Sequence, residues 1–325
     1  MRVLVTGATG FAGGHLVRAL DVAGHAVRAL VRDADRIRPL TKQGVEVVEG
    51  DLRDRSALTK AVDGIDVVYN IAAIYRQAGV PDQAYREVNA IAVRNLIEAA
   101  ARAGSRRVVQ CSTVGVHGDV EHPPANEDAP FRPGDIYQSS KVAGERLARE
   151  AAGELGIEVT IARPSGIYGP GDSRLLKLFR HGYRGFPMLG SGEIFYHLTY
   201  IEDLVEGLRL CGEHPAAANR VYILAGGEVT TLNEVVRLIA KVAERPPSSL
   251  HLPVWPFWLA GAACEAVCVP FGIEPPIYRR RVDFFTKSRA FDITRARTEL
   301  GYAPRISLRD GIARTINWYT KRGWL

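Results

Sequence analysis

Cysteine is scarce. Cys111, Cys211, Cys264 and Cys268 are four thiols in 325 residues, with no CxxC pair and no Cys/His spacing suited to zinc. Neither a disulfide framework nor a metal site is expected, and a reducing cytoplasmic setting fits. Charge of one sign is lacking as well. The 42 Lys and Arg are interspersed with 36 Asp and Glu, so the net charge of +6 marks no general polyanion surface and no nucleic-acid partner is expected. The clearest basic run, Arg279-Arg280-Arg281, reads as a solvated face or a local anion contact. No uninterrupted apolar run reaches membrane-spanning length: residues 252–271 come near it but contain Pro253, Pro256, Glu265 and Pro270. Nor does the beginning look like a leader, because Met1 runs directly into the strand-like Arg2-Val3-Leu4-Val5.

What is present is an ordinary globular composition, 46% hydrophobic and 24% charged, long enough for a large domain with a smaller one attached. The first half alternates short β-branched runs with amphipathic stretches. Strands are expected at 3–5, 26–31, 45–48, 67–71, 107–111, 158–162 and 221–224, and helices near 14–22, 55–62, 84–103 and 136–152. Short strands that are apolar throughout belong to a parallel sheet covered on both faces. The expected fold class is therefore α/β, a Rossmann-type doubly wound parallel sheet of about seven strands with a smaller, mixed α/β C-terminal substrate domain. The rhythm breaks after Pro170 and returns briefly near 201–224. That places a nucleotide domain at 1–172 plus 194–225 and a substrate domain at 173–193 plus 226–325.

The first strand enters Thr6-Gly7-Ala8-Thr9-Gly10-Phe11-Ala12-Gly13-Gly14, a GxxGxxG turn opening a helix. In that setting Gly7, Thr9, Gly10, Phe11, Ala12 and Gly13 are expected to bring backbone amides up to a pyrophosphate at the helix N-terminus. The second strand ends at Val31, where an NAD-preferring fold commonly has a carboxylate; Arg32 follows and could hold the 2′-phosphate of NADP, and Asp33 could still serve the ribose. NADP is favoured over NAD on this ground. Downstream, Tyr137 and Lys141 stand four residues apart on one helix face, after Cys111-Ser112-Thr113 at the end of the fifth strand. All would converge at the carboxyl edge of the sheet, where ligands bind.

With these motifs the chain resembles the extended short-chain dehydrogenase/reductase superfamily, of NAD-dependent epimerase/dehydratase type, over nearly its whole length. The matching pieces run in order: the glycine turn, Gly50-Asp51-Leu52, Asn70-Ile71-Ala72-Ala73, Val88-Asn89, Ser112-Thr113, Tyr137 to Lys141, Arg163 to Pro170, Tyr200 to Leu204, and Leu300 to Pro304. The resemblance implies roles that the chemistry supports. Tyr137 would be the general acid/base, and Lys141 would bind the nicotinamide ribose and lower the Tyr137 pKa. Thr113, with Ser112 as the alternative, would orient the substrate oxygen. Asp51 and Leu52 would border the adenine, Ala72 and Ala73 the pyrophosphate and ribose, and Pro164 and Ser165 the nicotinamide. It further implies a homodimer joined through the helices at 84–103 and 136–152.

Other residues have plainer readings. Asn89 is a helix N-terminal residue or a proton-relay member, and Asp203 a helix cap before it is a catalytic acid. Tyr168 and Pro170 read as turn structure, and His117 as packed or functional with equal weight. Cys264 and Cys268, one helical turn apart, read as buried small hydrophobes.

Within the superfamily the chain is closest to the 3β-hydroxysteroid dehydrogenase and dihydroflavonol-reductase-like branch. Gly166 stands where sugar-nucleotide enzymes often carry Asn, and the segment from Phe284 to Asp292 resembles the hydroxysteroid branch. Trp255, Phe257, Trp258 and Phe271 would form an apolar substrate lid or wall, or the core of the small domain, while Arg289 and the 279–281 run keep an anionic substrate in view. The expected activity is NAD(P)-dependent interconversion of a secondary alcohol and a ketone on a small, apolar molecule. The alternative is a nucleotide-sugar 4-epimerase or dehydratase with retained NAD; the intact Tyr137/Lys141 pair argues against a non-catalytic dinucleotide sensor. Fluorescence titration of Arg32→Ala tests the cofactor preference: NADP affinity is expected to fall far more than NAD affinity, and equal losses would refute a phosphate clamp.

Overall fold

The computed structural model describes residues 1–33, 44–77, 79–271 and 282–325. Arg279-Arg280-Arg281 thus lie outside the described residues. Seven strands form one sheet: β1 (Arg2–Thr6), β2 (Ala26–Val31), β3 (Glu46–Glu49), β4 (Val67–Asn70), β5 (Arg107–Cys111), β6 (Glu158–Pro164) and β10 (Val221–Leu224). Their order is β10-β6-β5-β4-β1-β2-β3, and all neighbours are parallel. The strand runs read from the sequence are those of this sheet. Alternation within β1 shows why such short strands hold: Val3 and Val5 enter one hydrophobic cluster with Leu16, Val17 and Leu20, whereas Leu4 enters another with Leu58, Leu96 and Ala148.

The helices that cover the sheet are α1 (Phe11–Val22), α2 (Arg55–Val62), α3 (Asp82–Arg86, a π-helical turn Glu87–Ile91, and Ala92–Arg102), α4 (Ile136–Leu155) and, further on, α6 (Ile201–Glu213). Between the last two, α5 (Leu176–Arg184) packs on α7 (Leu232–Val242), so closely that a Cβ on Gly182 would meet Ile239 at 2.7 Å. Outside the large sheet, β7 (Gly166–Tyr168), β9 (Phe195–Tyr200) and β11 (Val229–Thr231) form a three-stranded sheet, and β8 (Met188–Leu189) pairs with β12 (His251–Leu252). A segment near the C-terminus is fastened to β9, with His197 N donating to Arg289 O at 3.0 Å and Arg289 N to Phe195 O at 2.8 Å.

Several local readings are corrected. The first helix begins at Phe11, not 14, since its glycines are there for close approach and do not break it. Asn89 sits inside the π turn of α3, not at a helix start. Asp203 is no cap; its carboxylate accepts from Arg305 N (2.8 Å) and Ile306 N (3.2 Å) and so pins the C-terminal segment. Tyr168 lies buried within β7 against Tyr200. The helix α8 (Trp255–Cys268) buries only Gly261, so Cys264 and Cys268 are half-buried. Trp255 is 66% and Phe271 76% exposed, and with Phe257 and Trp258 they form neither core nor cavity wall. Among the described residues no helix is long and apolar enough to cross a membrane.

One buried charge network ties the carboxyl ends of the central strands together. Arg163 near the end of β6 and Glu145 on α4, each 1% exposed, pair at 2.6 Å. Ser112 Oγ, just past β5, donates to the same carboxylate at 2.5 Å. Arg163 also donates to Glu127 O (2.7 Å) and lies 3.2 Å from His117 Nε2, which settles His117 as a packed residue. A buried charge stripped of its partner costs far more than the intact pair contributes. Arg163→Met should therefore lose about 3–5 kcal/mol of stability in urea unfolding; an unchanged midpoint would contradict this.

Candidate active site

In a doubly wound sheet the crevice opens where strand order reverses, here between β1 and β4. The turn after β1 is shaped for a phosphate. Gly7 has φ +68°, and a Cβ there would meet Ala72 at 2.8 Å. A Cβ on Gly13 would lie 2.1 Å from Gly7 O, so only glycine lets α1 come this close to the strand. Gly10 caps α1 with no side-chain hydrogen bond, which leaves the first-turn amides for a ligand. Thr6 Oγ1 locks the turn from beneath, donating to Asn70 Oδ1 (2.6 Å) and accepting from Ala72 N (3.2 Å). The cradle thus fits a dinucleotide pyrophosphate on its own geometry.

A cavity of about 990 Å³ continues from this turn along the strand ends. Its lining includes Gly7, Thr9, Gly10, Phe11, Ala12, Gly13, Arg32, Asp51, Leu52, Ala72, Ala73, Thr113, Tyr137, Lys141, Pro164 and Ser165, so these candidates meet in one space, whereas Asp33, Asn89 and His117 do not line it. At one end Arg53 holds the Asp51 carboxyl below its usual range, with Arg32 adding to the effect. At the other end lies the Tyr137/Lys141 pair.

Asp135 caps α4 by accepting from Gln138 N at 2.8 Å, and this sets Tyr137 in the first turn and Lys141 one turn later. Tyr137 is 8% and Lys141 3% exposed. Burial pushes the phenol pKa well up and the ammonium pKa down. Lys141 Nζ donates to Cys111 O at 2.6 Å. Arg76 and Arg174 draw the phenol down against that burial. Tyr75 lies edge-on to Tyr137 at 4.9 Å, with the Arg76 and Arg174 guanidinium carbons 5.7 and 5.8 Å from its ring centroid. Sequence reasoning missed Tyr75, Arg76 and Arg174, for neither periodicity nor a motif marks them.

The two hydroxyls after β5 separate cleanly. Ser112 is committed to Glu145, whereas Thr113 Oγ1 accepts from Gly115 N (3.0 Å) and keeps its own proton to donate into the cavity. Asn89 spends both amide protons on structure, donating to Ile74 O (2.9 Å) and Ser140 Oγ (3.0 Å), while its Oδ1 accepts from Ile74 N (2.9 Å). Beyond Tyr137 the wall turns apolar, formed by Leu178 of α5, Tyr196, Leu232, Val236, Phe284 and Phe285. Phe284 stacks edge-on with Tyr196 and Phe285 at 5.3 and 5.0 Å. This is the aromatic wall that had been expected from Trp255 and its neighbours. Among the described residues no group of three metal-ligating side chains comes together.

Residues 3–225 match the NAD dependent epimerase/dehydratase family. The chain belongs to that family. This epimerase/dehydratase-family protein is an NAD(P)-dependent enzyme with the short-chain dehydrogenase/reductase fold. It is 31% identical to sterol demethylase protein B of Methylococcus capsulatus, with all of both chains covered. It is 30% identical to a 3-beta-hydroxysteroid dehydrogenase of Mycolicibacterium neoaurum, over 98% of this chain and 91% of that one. Among solved structures it superposes on gox2253 with a TM-score of 0.84 (29% identity; 100% and 99% of the two chains covered). It superposes on MoeE5 in complex with UDP-glucose and NAD with a TM-score of 0.77 (29% identity; all of both chains covered). Family membership gives the glycine turn a direct test. Gly13→Ala is expected to weaken NAD binding at least about tenfold in a fluorescence titration, because a displaced helix start misaims the amides; unaltered affinity would count against the cradle.

Proposed function

We propose that the enzyme interconverts a secondary alcohol and a ketone on an apolar frame, in the manner of hydroxysteroid dehydrogenases. The observation that carries this reading is the position of Tyr137, between a dinucleotide cradle and the apolar wall of Tyr196, Phe284 and Phe285. Names of relatives point the same way, since they include a sterol demethylase protein and a 3-beta-hydroxysteroid dehydrogenase. The turn Gly7–Gly13, Ala72, Ala73, Lys141, Pro164 and Ser165 would hold the cofactor, with Asp51 and Leu52 at its adenine end and Arg32 favouring NADP. The nicotinamide ring, when bound, accepts or supplies the hydride.

The protein's own part is to hold the carbinol and move its proton. Thr113 donates its hydroxyl proton to the substrate oxygen. Tyr137 takes the hydroxyl proton during oxidation and returns it during reduction. Because burial keeps the phenol protonated, reduction finds its acid ready, whereas oxidation must first ionise it. Oxidation should therefore speed up as pH rises through neutrality while reduction does not. In this reading residues 1–172 plus 194–225 carry the nucleotide, residues 173–193 plus 226–325 shape the substrate side, and α3 and α4 join two copies.

The second reading, a nucleotide-sugar 4-epimerase or dehydratase with retained NAD, draws on the likeness to MoeE5. Net production of reduced nicotinamide separates the two. With a sterol-type alcohol the enzyme is expected to release it, and Tyr137→Phe to lower kcat by about 10²–10⁴-fold with cofactor affinity retained. Interconversion of UDP-glucose without net reduced nicotinamide would overturn the dehydrogenase reading, and an undiminished kcat in the variant would overturn the role of Tyr137.

A further inference from the structure

The substrate side of the cavity holds more positive than negative charge: Arg76, Arg174, Lys177, Lys287 and Arg289 stand against Asp135 and Asp283. Most of this charge is internally matched. Arg76 pairs with Asp135 at 2.9 Å, Arg174 with Asp172 at 2.8 Å, and Lys287 with Asp283 at 2.9 Å. Lys177 is exposed to solvent, so Arg289 is the enclosed exception. Among the described residues no carboxylate lies within ion-pair distance of its guanidinium, which donates a long hydrogen bond, 3.5 Å, to Lys287 O. Its surroundings are Tyr196, Arg76 and, at longer range, Asp119 and Asp283. Asp119 is occupied with Ser288 N at 2.9 Å.

A guanidinium cannot shed its charge in a protein, so a half-buried one facing a second arginine demands an anion. Burial and the Arg76 charge both draw the Arg289 pKa below its ordinary value, which has the same physical origin. The backbone of Arg289 is held on both sides by β9, so the charge is positioned by the sheet and does not drift on a free loop. Arg76 in turn acts on the Tyr137 phenol as well as on Arg289. Arg76 lies 5.7 Å from the Tyr75 ring, which meets the Tyr137 ring at 4.9 Å, and Arg289 lines the same cavity, so an anion held by the two would lie on the Tyr137 side with the apolar wall left for the remainder of the molecule.

We propose that the substrate is an apolar hydroxy acid, or the matching oxo acid, whose carboxylate is bound between Arg76 and Arg289 while its carbinol meets Tyr137. This rests on the alcohol–ketone reading and adds the substrate's charge to it. Planar, two-pronged guanidinium groups match a carboxylate well. The competing anion, the diphosphate of a sugar nucleotide, becomes an outcome of the test.

The experiment compares turnover of 3-hydroxymyristic acid and of its methyl ester, beside a neutral sterol and UDP-glucose. For the natural chain kcat/KM for the acid is expected to exceed that for the ester by about 10–100-fold, chiefly through KM. In Arg289→Gln the ratio should collapse toward unity, and in Arg289→Lys, which keeps the charge, a good part of it should return. If Arg289→Gln fails to fold, the Lys variant and the natural chain's own acid-to-ester ratio decide. Equal turnover of acid and ester, or of ester and sterol alone, overturns the anionic substrate and leaves the alcohol–ketone reading standing. Conversion of UDP-glucose with every alcohol inert overturns both.

Discussion

The ion pair between Arg163 and Glu145 is the constraint from which the reacting end of the molecule is built. It joins β6 to α4, and through Ser112 it takes in the end of β5 as well. Because Ser112 is drawn down into this network, the next residue, Thr113, is the one whose hydroxyl faces the cavity. Glu145 lies one turn beyond Lys141 on α4, so the same anchor sets the depth of the helix that carries Tyr137. Paired charges this deep hold geometry more than they add net stability, since their attraction must first offset lost hydration.

Around that anchor the cavity divides by chemistry. Toward β1 it is a cradle of backbone, open to phosphate because Gly7 and Gly13 allow approaches that any side chain would block. Toward α5 and α7 it is aromatic and aliphatic. Tyr137 stands between, in a setting that burial makes costly for charge and that Arg76 and Arg174 partly relieve. An acid/base that must change charge with each turnover is well served by such opposed influences.

How much of this could be read beforehand depends on how local the determinants are. The seven strands were legible because a parallel sheet covered on both faces demands short, uniformly apolar runs, and Val3 to Val5 or Val67 to Tyr69 have few other uses. The cradle and the Tyr137/Lys141 pair were legible because they lie at strand ends and one helical turn apart. The aromatic wall was misplaced. Trp255 and Phe284 are equally apolar in composition, and only the pairing of the segment near Arg289 with β9 carries Phe284 and Phe285 to the cavity while α8 stays outside.

The sequence by itself determined the fold class, the dinucleotide turn and the Tyr137/Lys141 pair proposed for proton transfer, because each rests on spacing within a few residues along the chain. Tertiary structure decided which charges act on Tyr137 and which side chains line the cavity. Arg76 reaches Tyr137 across the gap between two strand ends, and Arg289 reaches Arg76 from more than two hundred residues away in the chain. Coulomb interactions depend on distance in space and on burial, and neither is written in the order of residues.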